Sequence, residues 1–306
     1  MPHVLHYVSK IPLLRCVVLA ATAASPPVQS HQATCAGASE YTGFGHPAPV
    51  PIGGYSGDAM EPFIARDGRY LFFNNSNDPS VNTNLFYASR VDATTFAYQG
   101  EIRGVNTASL DAVPTMDRMG RFYFISTRSY ATTRSTIYRG RFEDGRVSGV
   151  DLVPGPSTQQ PGIVDFDVEV SPDGDALYFA EGAFGTAQGP TSADLVLAVR
   201  RGTRFARPAG GGHILANVNA GGLNYAAATA ADERELFFTR IDPRHPADGP
   251  KVYRAYRQGA TEPFGCPQRL RALTGYVEAP SLSLDGRTLY YHKRAGTRFL
   301  IYRVTR

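Results

Sequence analysis

Asp165-Phe-Asp-Val-Glu169 sets three carboxylates at alternate positions, with Phe166, Val168 and Val170 as the apolar complement. In a strand alternate residues share a face, so the acids would stand side by side with the apolar residues behind them. Three adjacent like charges are unfavourable unless a cation or arginines compensate. Calcium, which takes carboxylate oxygens, is one answer. Salt links to a neighbouring unit are the expected one, and no metal or cofactor is assigned. Further acids lie at the starts of short apolar runs: Asp58 and Glu61, Asp111, and Glu278. Arg128, Arg240, His292 and Lys293 follow aromatic runs. Acids and bases gathered on one side would suit a polar ligand with hydroxyls, such as a sugar or a peptide.

Other chemistries find less support. His31, His46, His213, His245 and His292 show no metal-ligand spacing, and no Cys-x-x-Cys pair occurs. There is no Gly-x-Ser-x-Gly nucleophile elbow. Gly210-Gly-Gly212 lacks the strand-to-helix context of a phosphate loop and reads as an inter-strand loop.

The elements that position these residues are legible as a repeat. Asp67-Gly-Arg-Tyr-Leu-Phe-Phe73, Met119-Gly-Arg-Phe-Tyr-Phe-Ile125, Asp173-Gly-Asp-Ala-Leu-Tyr-Phe179, Asp232-Glu-Arg-Glu-Leu-Phe-Phe238 and Asp285-Gly-Arg-Thr-Leu-Tyr-Tyr291 are spaced by 52, 54, 59 and 53 residues. Asp-Gly before an apolar-aromatic run is a hairpin signal, because Gly takes the positive φ of a tight turn. The 31 Gly, 22 Pro, 17 Tyr and 17 Phe, without a long helical period, favour short strands. A fixed period with strands in each unit predicts an all-β, five-bladed β-propeller of four-stranded antiparallel blades. Each unit supplies an inner strand before the turn, the aromatic run, a third strand ending in Arg, and a looser fourth. Recurrence explains those arginines as blade architecture.

The fifth unit ends after its third strand. Phe44-Gly-His-Pro47 matches Phe264-Gly-Cys-Pro267, so the N-terminal segment is predicted to complete the last blade and close the ring. The propeller then spans residues 44–306. Residues 1–23 read as a cleaved export signal: Lys10 and Arg15 precede Cys16-Val-Val-Leu-Ala-Ala, and Ala21-Thr-Ala23 fits a cleavage site. Residues 24–43 are left as linker. Cleavage removes two cations, taking the formal charge from +4 to +2. That near-balance gives no reason to expect a nucleic-acid partner. No segment reaches the ~18 apolar residues of a membrane span. Cys35 and Cys266 either pair in an oxidising compartment or remain free thiols.

Ser171-Pro-Asp-Gly and Leu284-Asp-Gly-Arg-Thr-Leu-Tyr-Tyr resemble the repeats of the TolB-like, WD-like propeller family, common in bacterial periplasmic proteins. The resemblance covers all five units, with departures at Met119-Gly and Asp232-Glu, and specifies no ligand. It implies a monomeric binding protein of the periplasm or the extracellular space. The partner would be a polar small molecule, glycan or protein, met at the axial mouth by Glu61, Asp111, Arg128, Asp167, Tyr225, Arg240 and His292.

Five-bladed propellers also house glycoside hydrolases acting on furanosides, with acids on the inner strands. Glu278-Ala-Pro resembles a phrase seen there, and Asp58, Asp165 and Glu278 occupy broadly comparable positions. That resemblance implies, as the alternative, a glycan-active enzyme with one carboxylate as acid and another as base or nucleophile. Trp is absent, so Tyr55, Tyr130 and Tyr225 would have to stack on the sugar. The three acids also do not fall at one equivalent repeat position.

Overall fold

A computed structural model describes residue 35 and residues 39–78, 80–185 and 189–306. The expected export segment, with Cys16 and His31, lies outside them. Three short strands come first: β1 (Ser39–Tyr41), β2 (Gly45–Pro49) and β3 (Ile52–Gly53). Blade 1 follows as β4 (Met60–Ile64), β5 (Tyr70–Asn74), β6 (Leu85–Arg90) and β7 (Phe96–Glu101). Blade 2 is β8 (Asp111–Met116), β9 (Arg121–Ser126), β10 (Ile137–Glu143) and β11 (Arg146–Leu152). Blade 3 is β12 (Ile163–Val170), β13 (Ala176–Phe184), β14 (Pro190–Arg201) and β15 (Arg204–Ala206). Blade 4 is β16 (Leu223–Thr229), β17 (Glu235–Ile241), β18 (Lys251–Tyr256) and β19 (Gln268–Leu270). Blade 5 is β20 (Val277–Leu282), β21 (Thr288–Ala295) and β22 (Arg298–Thr305). The predicted five-bladed propeller of four-stranded antiparallel blades is the observed fold.

The repeated turn is alike in all five copies. Its second residue has positive φ: Gly68 at 74°, Gly120 at 77°, Gly174 at 80°, Glu233 at 54° and Gly286 at 73°. Glycine accepts that conformation freely and glutamate does not. Glu233 is tied in place by accepting the Tyr178 hydroxyl at 2.9 Å. Each aromatic run then enters the core, and Leu71, Phe72, Phe73, Leu177, Tyr178 and Phe179 are fully buried. The connections after two of these runs are short. Strands run to Phe184 and resume at Pro190 in blade 3, and run to Ala295 and resume at Arg298 in blade 5.

The third-strand arginines are architectural. Arg90, Arg200, Arg257 and Arg306 each donate to the carbonyl of a turn residue, Gly68, Gly174, Glu233 and Gly286, at 2.6–2.8 Å. Each guanidinium also lies over an outer-strand phenylalanine: Phe96, Phe205, Phe264 or Phe44. Arg90, Arg200 and Arg257 reach the tyrosine hydroxyl of the preceding blade, at Tyr290, Tyr123 and Tyr178. One side chain thus fastens turn, outer strand and neighbouring blade.

Ring closure follows the Phe44/Phe264 match. β2 pairs antiparallel with β22, Ala48 opposite Arg303 and Pro49 opposite Tyr302. The same segment goes further than expected. β1 lies parallel on β19 of blade 4, and β3 lies parallel on β7 of blade 1. Residues 39–43, inside the span expected as linker, therefore include a strand. The segment crosses three consecutive blades and leaves their outer edges covered. Cys35 and Cys266 form a disulfide that fastens it to blade 4. No helix among the described residues is long and apolar enough to cross a membrane.

Candidate functional site at the axial mouth

All five inner strands carry the same irregularity. The register slips by one residue between Met60 and Phe63, Ala112 and Thr115, Phe166 and Glu169, Tyr225 and Ala228, and Glu278 and Ser281. The bulged residue has a left-handed backbone in each blade: Glu61 at 49°, Val113 at 54°, Asp167 at 52°, Ala226 at 51° and Ala279 at 55°. None is glycine, and a valine there is strained. Proline follows in three of the five, as Pro62, Pro114 and Pro280, which suits a position outside the ladder. An inner-strand proline is the sequence signal that marks these bulges.

The bulges ring a narrow axial cavity of about 20 Å³, lined by Glu61, Val113, Asp167, Ala226 and Ala279. Their amides are claimed by side chains of the preceding blade. Val113 donates to Asn74 at 3.0 Å, Ala279 to Thr239 at 3.0 Å, and Glu61 to Nδ1 of His292 at 3.1 Å. His292 is therefore held with its other proton on Nε2, which faces Glu278 Oε2 at 3.1 Å. Glu278 also accepts the Tyr225 hydroxyl. Glu61 Oε1 accepts Asn77 at 2.6 Å and lies 3.9 Å from the His292 ring. Glu61 and Glu278, from blades 1 and 5, thus flank one imidazole, and Asp167 of blade 3 lies near enough for its charge to act on Glu61 and to feel that of Glu278.

Burial sets their protonation. Glu61 is pushed up to about 8 by desolvation, then by the Asp167 charge, with His292 acting the other way. Asp167 is pushed up to about 7 by desolvation and Glu278, against the Ala226 amide. Burial works against a charged His292, but the Glu278 hydrogen bond and the charges of Glu61 and Glu278 outweigh it and raise its pKa. The Tyr225 hydroxyl is raised well above its ordinary range by burial and Glu278. At neutral pH the mouth holds a protonated carboxyl beside one near its midpoint. Such groups can donate as well as accept.

The bulge at Asp167 also undoes the expected alignment of Asp165, Asp167 and Glu169. Asp165 pairs opposite Glu181 and Glu169 opposite Tyr178, three residues apart on β13, so the two face opposite sides. The extra residue has inverted the alternation. Asp165 is buried 3.8 Å from Arg207, which holds Glu181 at 2.5 Å. Burial above all raises its pKa to about 6, with Ser157 and Arg207 opposing and Glu181 assisting. Glu169 also lines the axial cavity, two residues beyond Asp167 along β12 toward the other end of the axis. It accepts Arg66 at 2.8 Å and Thr115 at 2.8 Å, and Arg66 donates onward to the Met116 and Val170 carbonyls.

The remaining residues divide cleanly. Glu61, Asp167, Tyr225, Glu278 and His292 come together. Asp58 stays outside, its carboxylate capping the Phe299 amide at 3.0 Å and its carbonyl taking the Tyr55 hydroxyl at 2.6 Å. Asp111 is buried against Arg128 at 2.5 Å, and Arg128 also donates to the Val105 carbonyl. Arg240 repeats this two blades later, donating to Asn224 and to the Val218 carbonyl at 2.7 Å each. These arginines tie the incoming linker to the inner strand. The Tyr130 hydroxyl goes to the Ile163 carbonyl at 2.8 Å. Among the described residues no group of three His, Cys, Asp or Glu side chains, the mouth residues included, is arranged to hold a metal ion.

No family model and no curated protein sequence matches the chain. Solved structures do. Zg3597, a family 117 glycoside hydrolase produced by the marine bacterium Zobellia galactanivorans, superposes with a TM-score of 0.56 at 9% identity, covering 86% of this chain and 90% of that one. The catalytic domain of the Coprinopsis cinerea GH62 alpha-L-arabinofuranosidase gives 0.56 at 11% identity, over 88% and 97%. TolB from Acinetobacter baumannii gives 0.46 at 15%, over 81% of this chain and 55% of that one, so the chain spans about half of TolB's length. The first two likenesses show the fold alone.

Proposed function

We propose that the protein recognises a polar, hydroxyl-bearing ligand at the axial mouth, through Glu61, Asp167 and Glu278. The observation that carries this reading is the meeting of these carboxyls from three blades at the axis, Glu61 and Glu278 against His292, with Glu61 and Asp167 protonating near neutrality. Side chains that both donate and accept suit hydroxyls, which do the same. The narrow cavity argues for a ligand seated across the mouth with one polar group inserted, since a whole sugar ring needs far more than the space of one water. The Cys35–Cys266 disulfide supports an oxidising compartment, periplasmic or extracellular.

Glycoside hydrolysis is the second reading, favoured by one specific observation. Glu61 and Asp167 rise to about 8 and 7 beside Glu278, and hydrolysis requires a protonated and an ionised carboxyl in one site. In this reading Glu61 and Asp167 take the places expected of Asp58 and Asp165. Calorimetric titration against a panel of soluble glycans, paired with reducing-sugar release, tests both. Glu61→Gln, Asp167→Asn and Glu278→Gln should each weaken binding at least about tenfold, or 1.4 kcal/mol, while thermal melts show the fold intact. Release of sugar abolished by these changes would select hydrolysis. Unaltered binding in all three would overturn the axial site.

A further inference from the structure

A larger cavity, of about 340 Å³, opens at the other face of the propeller, between blades 1 and 2. It lies where the repeat breaks three times. Four third-strand arginines clasp a turn and stack on an outer phenylalanine, but Phe142 holds that register in blade 2, and Arg141 before it reaches just the Met119 carbonyl at 3.0 Å and is exposed. Blade 1 offers Phe72 where Tyr123, Tyr178 and Tyr290 stand in other blades, so no hydroxyl meets it. Met119 replaces the aspartate of the other four turns and is 64% exposed. The result is an unclasped junction, open to solvent.

The chemistry inside is two-signed. Arg66 lines the cavity and is over nine-tenths buried. Its Nε and Nη2 are bonded to Met116, Glu169 and Val170, while Nη1 has no hydrogen-bond partner among the described residues. Arg118, on the same wall, makes no side-chain hydrogen bond or ion pair among them. Glu143 and Asp144 stand exposed on the facing hairpin, without a side-chain partner there. The Tyr70 and Phe142 rings, 5.4 Å apart, line the cavity too, while the lining acids Asp67 and Asp117 are already paired, with Arg69 and Arg121.

We propose that this cavity binds a small zwitterion with an apolar body, such as a short peptide with free ends. Its carboxylate would meet Arg66 Nη1 and Arg118 as a charge-assisted pair. Its ammonium would face Glu143 and Asp144, and its apolar part would cover Tyr70, Phe142 and Met119. The volume suits a molecule of that size. The site is independent of the axial mouth.

Calorimetry with the dipeptide alanyl-leucine, its N-acetyl form and its C-terminal amide tests this on the intact protein. The free dipeptide should bind, and blocking either end should weaken it at least about tenfold. Arg118→Ala should cause a similar loss without moving the melting temperature, since that side chain holds nothing else. Met119→Asp restores the residue of the other turns and should keep the fold while placing a second negative charge by the carboxylate site, abolishing binding. Equal binding of all three peptides, no binding of alanyl-leucine at about 10 mM, or full binding by both variants would each overturn the proposal.

Discussion

The two ends of the propeller axis both bury charge, and they do so on different terms. At one end Glu169 meets the Arg66 guanidinium at 2.8 Å, the Thr115 hydroxyl at 2.8 Å and the Thr229 amide at 3.4 Å. With Met116 and Val170 accepting from Arg66, the cluster stitches blades 1 to 4 together. At the other end Glu61, Asp167 and Glu278 bond no lysine or arginine among the described residues. They share one histidine, an asparagine, a tyrosine and a backbone amide. A buried charge with a full set of partners is a fastening. Glu61 and Asp167, buried without a lysine or arginine partner, have raised pKa values, at some loss of stability, which is the pattern of sites that meet something from outside.

The strongest way to break that contrast is to neutralise one acid at each end. Glu169→Gln leaves the Arg66 guanidinium buried without a counter-charge, and such a change costs about 3–5 kcal/mol. Glu61→Gln at neutral pH replaces a protonated carboxyl by an amide of the same shape. Stability should change by less than about 1 kcal/mol. Urea unfolding of the two variants measures both. Comparable losses would mean that the mouth is a second fastening.

The pH dependence sharpens the same point with a smaller effect. In the fold Glu61 lies at about 8 against an ordinary 4.5, and Asp167 at about 7 against 3.8. Both are raised, so between those limits the folded state binds more protons than the unfolded one, and stability falls as pH rises. Their contribution is whole below about pH 4 and gone above about pH 8. The expected decline across that window is at least about 1 kcal/mol, and Glu61→Gln should flatten it. A wild-type stability that is level or rising from about pH 5 to about pH 8 would show that the mouth carboxyls are ionised in the fold.

The blades were legible because the repeat is written in residues with local consequences. Asp-Gly specifies a turn, the aromatic run specifies a buried strand, and Phe44-Gly-His-Pro47 repeats Phe264-Gly-Cys-Pro267 closely enough to locate the missing strand. The site was legible in composition but not in phase. Strict alternation placed Asp165 with Glu169, and one bulged residue at Asp167 separates them. Glu61 lines the axis as the bulged residue of its own strand, while Asp58 lies before that strand and is held on the Phe299 amide. Arg128 and Arg240 looked available because their partners, the Val105 and Val218 carbonyls, are backbone groups of linkers that no side-chain pattern announces.

The finest cut divides a single residue. His292 occupies a column with Asn74 and Thr239, whose side chains accept the bulge amide of the next blade. Its Nδ1 performs that duty for Glu61 at 3.1 Å, while its Nε2 supplies Glu278 at 3.1 Å. Asparagine already serves the first duty in blade 1 and is too short for the second. His292→Asn should therefore keep the Glu61 amide satisfied and hold stability to within about 1 kcal/mol of wild type. It should also strip Glu278 of a donor. With that hydrogen bond gone, ligand binding should fall below that of wild type. His292→Ala removes both duties and leaves the buried Glu61 amide unpaired, so its loss of stability should exceed that of the asparagine variant by about 1–3 kcal/mol. Two variants of equal stability would show that the amide contact is incidental, and equal ligand binding by His292→Asn and wild type at every pH would remove the histidine from the site.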